Sequence, residues 1–189
     1  MTPVEVDFVS GGDVCSAWHF AGNGGSARRP VVVMAHGFGG TKDSGLAPFA
    51  ERIAEAGADV LAFDYRGFGA SQGLPRQSLS VRRQIADYHA AVDAAAALPG
   101  VDPGRVVLWG VSFSGGHVLR VAAEREQAKH ALEVKSEQLT STLDNISQGL
   151  AVFDKEHNLV TWNQQYVDLL ETPRELVYVG ASLESLLRN

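Results

Sequence analysis

The chain has 189 residues, 45% of them hydrophobic and 20% charged, and its 16 Lys+Arg against 22 Asp+Glu give a net charge of −6. That composition excludes an intrinsically disordered chain, and the acidic balance removes any electrostatic case for nucleic acid or an anionic membrane as partner. A single cysteine, Cys15, excludes an internal disulfide.

In chain order, the N-terminal MTPVEVDFVSGGD is acidic and has no apolar h-region, so the expected location is the cytoplasm. No stretch approaches the roughly 18 apolar residues of a membrane span. VEVDFVS (4–10) and VCSAWHF (14–20) flank Gly11-Gly12-Asp13, which predicts a β-hairpin. RPVVVMAH (29–36) is a continuous apolar run, as expected of a strand buried on both faces. LAPFAERIAEAG (46–57) has helical spacing and ends on Gly57, a C-cap residue. ADVLAFDY (58–65) reads as a strand, residues 79–98 as a helix, and RVVLWGVS (105–112) as the next buried strand. Helices alternating with continuous apolar strands predict a mostly parallel sheet with helices on both faces.

Composition shifts near residue 123. Of the 20 glycines, 18 precede that point, and the net charge is −1 over residues 1–123 and −5 over residues 124–189. Between Gly116 and Gly149 there is neither Gly nor Pro, which predicts one helix of about 30 residues, roughly 45 Å long. Leu132, Ser136, Leu139, Leu143 and Ile146 follow a 4-3-4-3 spacing. Either this is a short heptad seam or the helix packs on its own domain. GLAVFD (149–154) and NLVTWN (158–163) then read as a hairpin across Lys155-Glu156-His157, and QQYVDLL and SLESLLRN as short helices either side of a break at Pro173.

Chemistry concentrates in residues 110–116, Gly-Val-Ser-Phe-Ser-Gly-Gly, between a buried strand and a helix. A serine on a sharp strand-to-helix turn needs small neighbours two residues either side, and the turn aims its hydroxyl at the cleft. The next N–H, that of Phe113, then points at a developing oxyanion. Ser114 stands where the second glycine of the G-x-S-x-G pattern is usual, and it occupies a similar frame of its own (Ser112 to Gly116). Ser112 is preferred because Gly110 precedes it and the strand ends there.

The segments HGFGG (36–40), FDYRGFGAS (63–71) and WGVSFSGGHVL (109–119) together resemble α/β-hydrolases of the esterase and peptidase-like type. The resemblance implies Ser112 as nucleophile and the backbone N–H groups of Phe38 and Phe113 as the oxyanion hole. It makes His36, Asp64 and Arg66 conformational supports rather than triad members. It also implies an acid and then a histidine after the nucleophile. The histidines that follow, His117, His130 and His157, lack the expected context. The strand bearing Ser112 would also become a sheet edge, apolar on both faces.

LDNISQGLAVFDKEHNLVTWNQQYVDLL resembles the start of a PAS sensor domain, with the preceding signalling-type helix and the Trp162-Asn163 pair leading into a helix. The expected organisation is therefore a truncated α/β-hydrolase domain (1–123), a connecting helix that could form a coiled coil (124–146) and a partial PAS-like segment (147–189). The fold class is α/β: a partial α/β-hydrolase parallel sheet with flanking helices, a long connecting helix and a small α+β segment. The expected function is that of a serine-hydrolase fragment acting on a small-molecule ester or amide, inactive alone for want of the acid and histidine. The alternatives are a non-catalytic PAS-type signalling or dimerisation module, homodimeric through the long helix or the sheet edge, and a chimeric product without evolved activity. No metal or organic cofactor, nucleic acid or membrane is implied.

Overall fold

A computed structural model describes residues 2–23, 25, 28–169 and 173–187. The chain divides into two compact units, Met1–Glu126 and Gln127–Asn189.

The first unit is built on a five-stranded sheet. Strands β1 (Val4–Ser10) and β2 (Asp13–Phe20) form the expected hairpin, in register from Val4 opposite His19 to Ser10 opposite Asp13. Strand β3 (Arg29–Ala35), helix α1 (Ala47–Glu55), strand β4 (Asp59–Phe63), helix α2 (Val81–Ala96), strand β5 (Val101–Gly110) and helix α3 (Phe113–Asp144) follow. The spatial order is β1-β2-β4-β3-β5, with β4, β3 and β5 parallel and β2 antiparallel to β4. Every residue of β4 is buried: residues 60–63 form an apolar run, as expected of a strand covered on both faces, and Asp59 is a buried charge at its start.

This order decides where the helices go. The chain steps from β3 to β4 in one direction and from β4 back past β3 to β5 in the other. Crossovers of one hand therefore put α1 and α2 on opposite faces. One core layer joins Val32, Met34, Val60 and Ala62 to Ala50 and Ala54 of α1. The other joins Val31, Val33, Leu61 and Phe63 to Tyr88, Ala91 and Val92 of α2 and Val121 of α3. The neighbouring strands β3 and β5 thus feed helices on opposite faces, and that arrangement opens a crevice at their carboxyl ends.

Cys15 lies in β2 with no exposed surface, and burial pushes its thiol up to about 12. At the other end of the sheet from the crevice, Asp59 accepts from Arg29 Nε at 2.7 Å and Gly22 N–H at 3.2 Å, with His19 Nε2 at 2.9 Å. Burial alone would raise its carboxyl; the hydrogen bonds from Arg29 and His19 outweigh burial and hold it below the usual carboxylate range.

One boundary differs from the sequence expectation. β5 starts at Val101 rather than Arg105, because Val101 pairs with Arg29 before the register jumps to Val106 opposite Val31. The heptad positions Leu132 and Leu139 on α3 are 70% and 58% exposed, while Leu143 and Ile146 are half-buried. As expected, β5 stands at the edge of the sheet among the described residues, with Val107 exposed.

In the second unit, strands β6 (Ala151–Phe153) and β7 (Leu159–Trp162) form a hairpin, followed by helix α4 (Gln164–Leu169), a single tight turn (Arg174–Leu176) and helix α5 (Leu183–Leu187). The expected helices reach into residues 170, 188 and 189, which lie outside the described residues. The core of this unit is Leu159, Val167, Val177, Ala181 and Leu186. Buried Asn163 ties the unit together. Its Oδ1 accepts from Leu150 N–H at 2.7 Å and Tyr166 N–H at 3.1 Å, and its Nδ2 donates to the carbonyls of Leu143 and Gln148, both at 2.9 Å. Among the described residues no helix is long and apolar enough to cross a membrane.

Candidate active site

β5 ends at Gly110 and α3 starts at Phe113, so two residues make the whole turn. Ser112 absorbs the bend in the left-handed region, at φ 55°. For a residue with a Cβ such a backbone costs on the order of 1–3 kcal/mol and persists only where the surroundings enforce it. Gly110 shows how they do so. A Cβ there would lie 2.6 Å from the Ser114 carbonyl oxygen and 2.9 Å from Gly115 N. Strand end and helix start can approach this closely only through glycine.

Ser114 closes the turn. Its hydroxyl accepts from Val111 N–H at 2.9 Å and lies 2.9 Å from the Ala35 carbonyl and 3.0 Å from that of Val111, either of which can take its proton. It is 0% exposed. The departure from the glycine pattern is therefore a staple between the turn and the end of β3, and Ser114 is not the available hydroxyl. Ser112 is exposed, and its Oγ makes no hydrogen bond among the described residues.

The loop after β3 comes alongside. A Cβ on Gly37 would sit 3.3 Å from Ser112 Cβ and 3.7 Å from its Oγ, so Gly37 gives the serine its space. The rings of Phe38 and Phe113 meet edge to face at 5.9 Å. The structure thus brings together Ser112, Phe38 and Phe113, the three residues that the sequence pattern singled out. The start of α3 adds the partial positive charge of a helix N-terminus beside the serine.

The supports hold this geometry from behind. Buried His36 has Nδ1 3.0 Å from the Gly37 carbonyl, and burial holds its ring below the usual histidine range. Asp64 accepts from Lys42 N–H at 2.6 Å, Lys42 Nζ at 2.9 Å and Ala70 N–H at 3.0 Å, pinning the loop after β3 to the loop after β4. Arg66 pairs with buried Asp87 of α2, which also accepts from Ser10 Oγ at 2.7 Å. The Tyr88 hydroxyl lies 2.8 Å from the Val33 carbonyl and 2.6 Å from that of Trp109, fastening α2 beneath both strands that end at the site. Burial raises the Tyr88 phenol well above its ordinary value. Lys42, Asp87 and Tyr88 escaped the sequence reading, because their partners lie 20 or more residues away and no local pattern marks them.

The histidines after Ser112 are engaged elsewhere or distant in the chain. His117 Nε2 donates to Gln84 Oε1 at 2.8 Å, and burial lowers its ring from the ordinary value. His130 lies on the exposed part of α3 and His157 in the β6–β7 turn at φ 63°. His130 and His157 belong to the second unit.

A mixed sheet whose central strands β4, β3 and β5 run parallel, helices on both its faces, and a serine on a strained strand-to-helix turn beside a glycine-rich loop define an α/β hydrolase. The profile of the serine aminopeptidase S33 family matches residues 26–147, and the chain belongs to that family. The PAS fold profile matches residues 143–189. Among curated relatives, the quorum-quenching protein AidA of Acinetobacter baumannii is 48% identical over 121 residues, covering 64% of this chain and 40% of that protein. The thiohydrolase aneE of Aspergillus aculeatus is 39% identical over 110 residues, covering 58% of this chain and 35% of that protein. The crystal structure of the α/β hydrolase GrgF from Penicillium sp. superposes with a TM-score of 0.61 at 25% identity, covering 99% of this chain and 73% of that one. The chain therefore spans two fifths or less of the length of these two curated relatives.

Proposed function

We propose that residues 1–126 are the nucleophile-bearing part of a serine acyl hydrolase acting on a small-molecule ester or amide. The observation that carries this reading is the exposed Ser112 at φ 55°, set between Gly37 and the start of α3. In this reading Ser112 Oγ attacks the acyl carbonyl, and the N–H groups of Phe38 and Phe113 donate to the oxyanion of the tetrahedral intermediate. The serine proton needs a base, and Ser112 has no histidine in hydrogen-bonding contact among the described residues. In comparable triads loss of the histidine costs about 10⁶ in turnover, so this chain alone turns over near background.

The test is hydrolysis of 4-nitrophenyl butyrate by the chain and by Ser112→Ala, each with and without added imidazole as a diffusible base. We expect equal near-background rates without imidazole, and with imidazole a rate for the unsubstituted chain at least several-fold above that of Ser112→Ala. Equal rates with imidazole would remove Ser112 as nucleophile. Ser112-dependent turnover without imidazole would show that the chain completes its own site.

A second reading rests on Leu132 and Leu139, exposed one heptad apart on α3. It makes the chain a PAS-type module that dimerises through this helix, or through the open edge of β5. Sedimentation mass distinguishes the two: Leu132→Lys with Leu139→Lys abolishes a helix-borne dimer and leaves an edge-borne one intact.

A further inference from the structure

A groove of about 910 Å³ runs between α2 and α3, outside the residues assigned to catalysis except for the side chain of Phe113. Its apolar surface comes from Val81, Ile85, Ala86, Phe113 and Gly116, with the ring of His117 beside them. Both helices leave the carboxyl ends of parallel strands, so their first turns lie at the same end of the sheet. The cross-links agree, since His117 bonds Gln84 near the start of both helices, and further along His89 bonds Glu124 at 2.9 Å and Arg125 bonds Asp93 at 3.0 Å. One end of the groove is therefore Val81, Arg82 and Phe113, the residue next to the serine. The other end is His89 and Glu124.

The polar groups around the groove are already committed. His117 Nε2 is held by Gln84, and Glu124 is shared between His89 and Arg120. A ligand rich in hydrogen-bonding groups would give up water here and find no partners, which disfavours it. A hydrocarbon chain gives up none. The exception is Arg82, exposed and without a hydrogen bond or ion pair among the described residues, at the serine end of the groove. A negative or carbonyl head group beside Arg82 is thus the one polar feature the groove favours. Its volume and its few polar groups suit a small amphiphile.

We propose that this groove binds the aliphatic chain of an acyl group, with the carboxyl end at the Ser112 end beside Arg82 and the tail running between α2 and α3. As a substrate site it rests on the reading of Ser112 as nucleophile, and it narrows that substrate to aliphatic acyl esters or amides. As a binding site it can be tested without turnover.

The test is calorimetric titration of the whole chain with hexanoate, octanoate and decanoate below their micelle concentrations, and with decanol. Gly116→Leu is the decisive variant, because Gly116 lines the groove and a Cβ there meets nothing within 4 Å, so the added side chain competes with a ligand for the groove. We expect saturable binding that tightens about twofold to fourfold per added methylene, is lost in Gly116→Leu, and is unchanged in Ser112→Ala. Arg82→Glu should weaken decanoate at least fivefold and leave decanol unaffected. Thermal unfolding of Gly116→Leu reports that the fold is intact. Binding without chain-length dependence, or equal binding by Gly116→Leu, overturns the proposal. So does absent binding together with a dimer mass that Gly116→Leu reduces, since the groove would then be an interface between copies. Chain-length-dependent binding alongside a failed imidazole test would leave the groove standing and remove the hydrolase reading alone.

Discussion

Gly110→Ala should open the turn that carries Ser112. The added methyl group would sit 2.6 Å from Ser114 O, 2.7 Å from Ser114 C and 2.9 Å from Gly115 N, all backbone atoms of the first turn of α3. Ordinary contact needs about 3.4 Å, so helix start and strand end must separate by nearly 1 Å. The 2.9 Å hydrogen bonds from Val111 N–H to Ser114 Oγ and from Ser114 Oγ to the Ala35 carbonyl do not survive such a shift. Overpacking costs about 1–3 kcal/mol, and each lost hydrogen bond adds about 0.5–1.5 kcal/mol. The stiffer unfolded chain returns about 0.4–1 kcal/mol. The net loss is about 3 kcal/mol, or about 6–12 °C in Tm for a chain of this length. Urea unfolding followed by near-ultraviolet circular dichroism measures it. Gly116→Ala is the control: the same chemical change at an open helical position should stabilise by about 0.5–1 kcal/mol. If Gly110→Ala matched the unsubstituted chain, or the two variants lost equal stability, close approach would not be what glycine at 110 provides.

Asn163→Ala should loosen the second unit by at least about 2 kcal/mol, because Leu150 N–H and two carbonyls lose a buried partner at once. Amide exchange should speed up across residues 149–169 and remain unchanged in β3 and β4; unchanged exchange in the second unit would refute the assignment. The buried rings of His36 and His117 both titrate below the ordinary histidine value. The unfolded chain therefore takes up protons first, so their contribution is complete above about pH 6.5 and is lost as the pH falls, at up to about 1.4 kcal/mol per pH unit for each ring. Urea midpoints between pH 7 and pH 5 should fall less steeply for His117→Gln; an unaltered slope would mean that His117 charges as readily folded as unfolded.

Much of the first unit was legible because its signals are local. Unbroken apolar runs marked β3, β4 and β5, and Gly110, Ser112 and Gly116 marked the turn between β5 and α3. Ser114 shows where local reading stops. In sequence it is only a serine at a glycine position, and the Ala35 carbonyl, 79 residues away, reveals the staple. The start of β5 was missed for a similar reason. Asp102-Pro103-Gly104 reads as a loop, yet Val101 is drawn into the sheet by pairing with Arg29. The 4-3-4-3 spacing in α3 was visible, but a spacing does not say what covers it, and Leu132 and Leu139 are exposed. The groove between α2 and α3 left no trace in sequence at all, since it depends on how far apart two helices stand rather than on any residue type.

Cys15 gives the first unit an internal clock. Its thiol is the only one in the chain, it is fully buried in β2, and burial keeps it protonated at neutral pH. A disulfide reagent can therefore reach it only in those moments when the sheet parts, and the rate of its modification in native buffer counts those openings. The second unit has no thiol and stays silent in the same experiment, so one reagent reads the breathing of the serine-bearing sheet separately from anything the rest of the chain does.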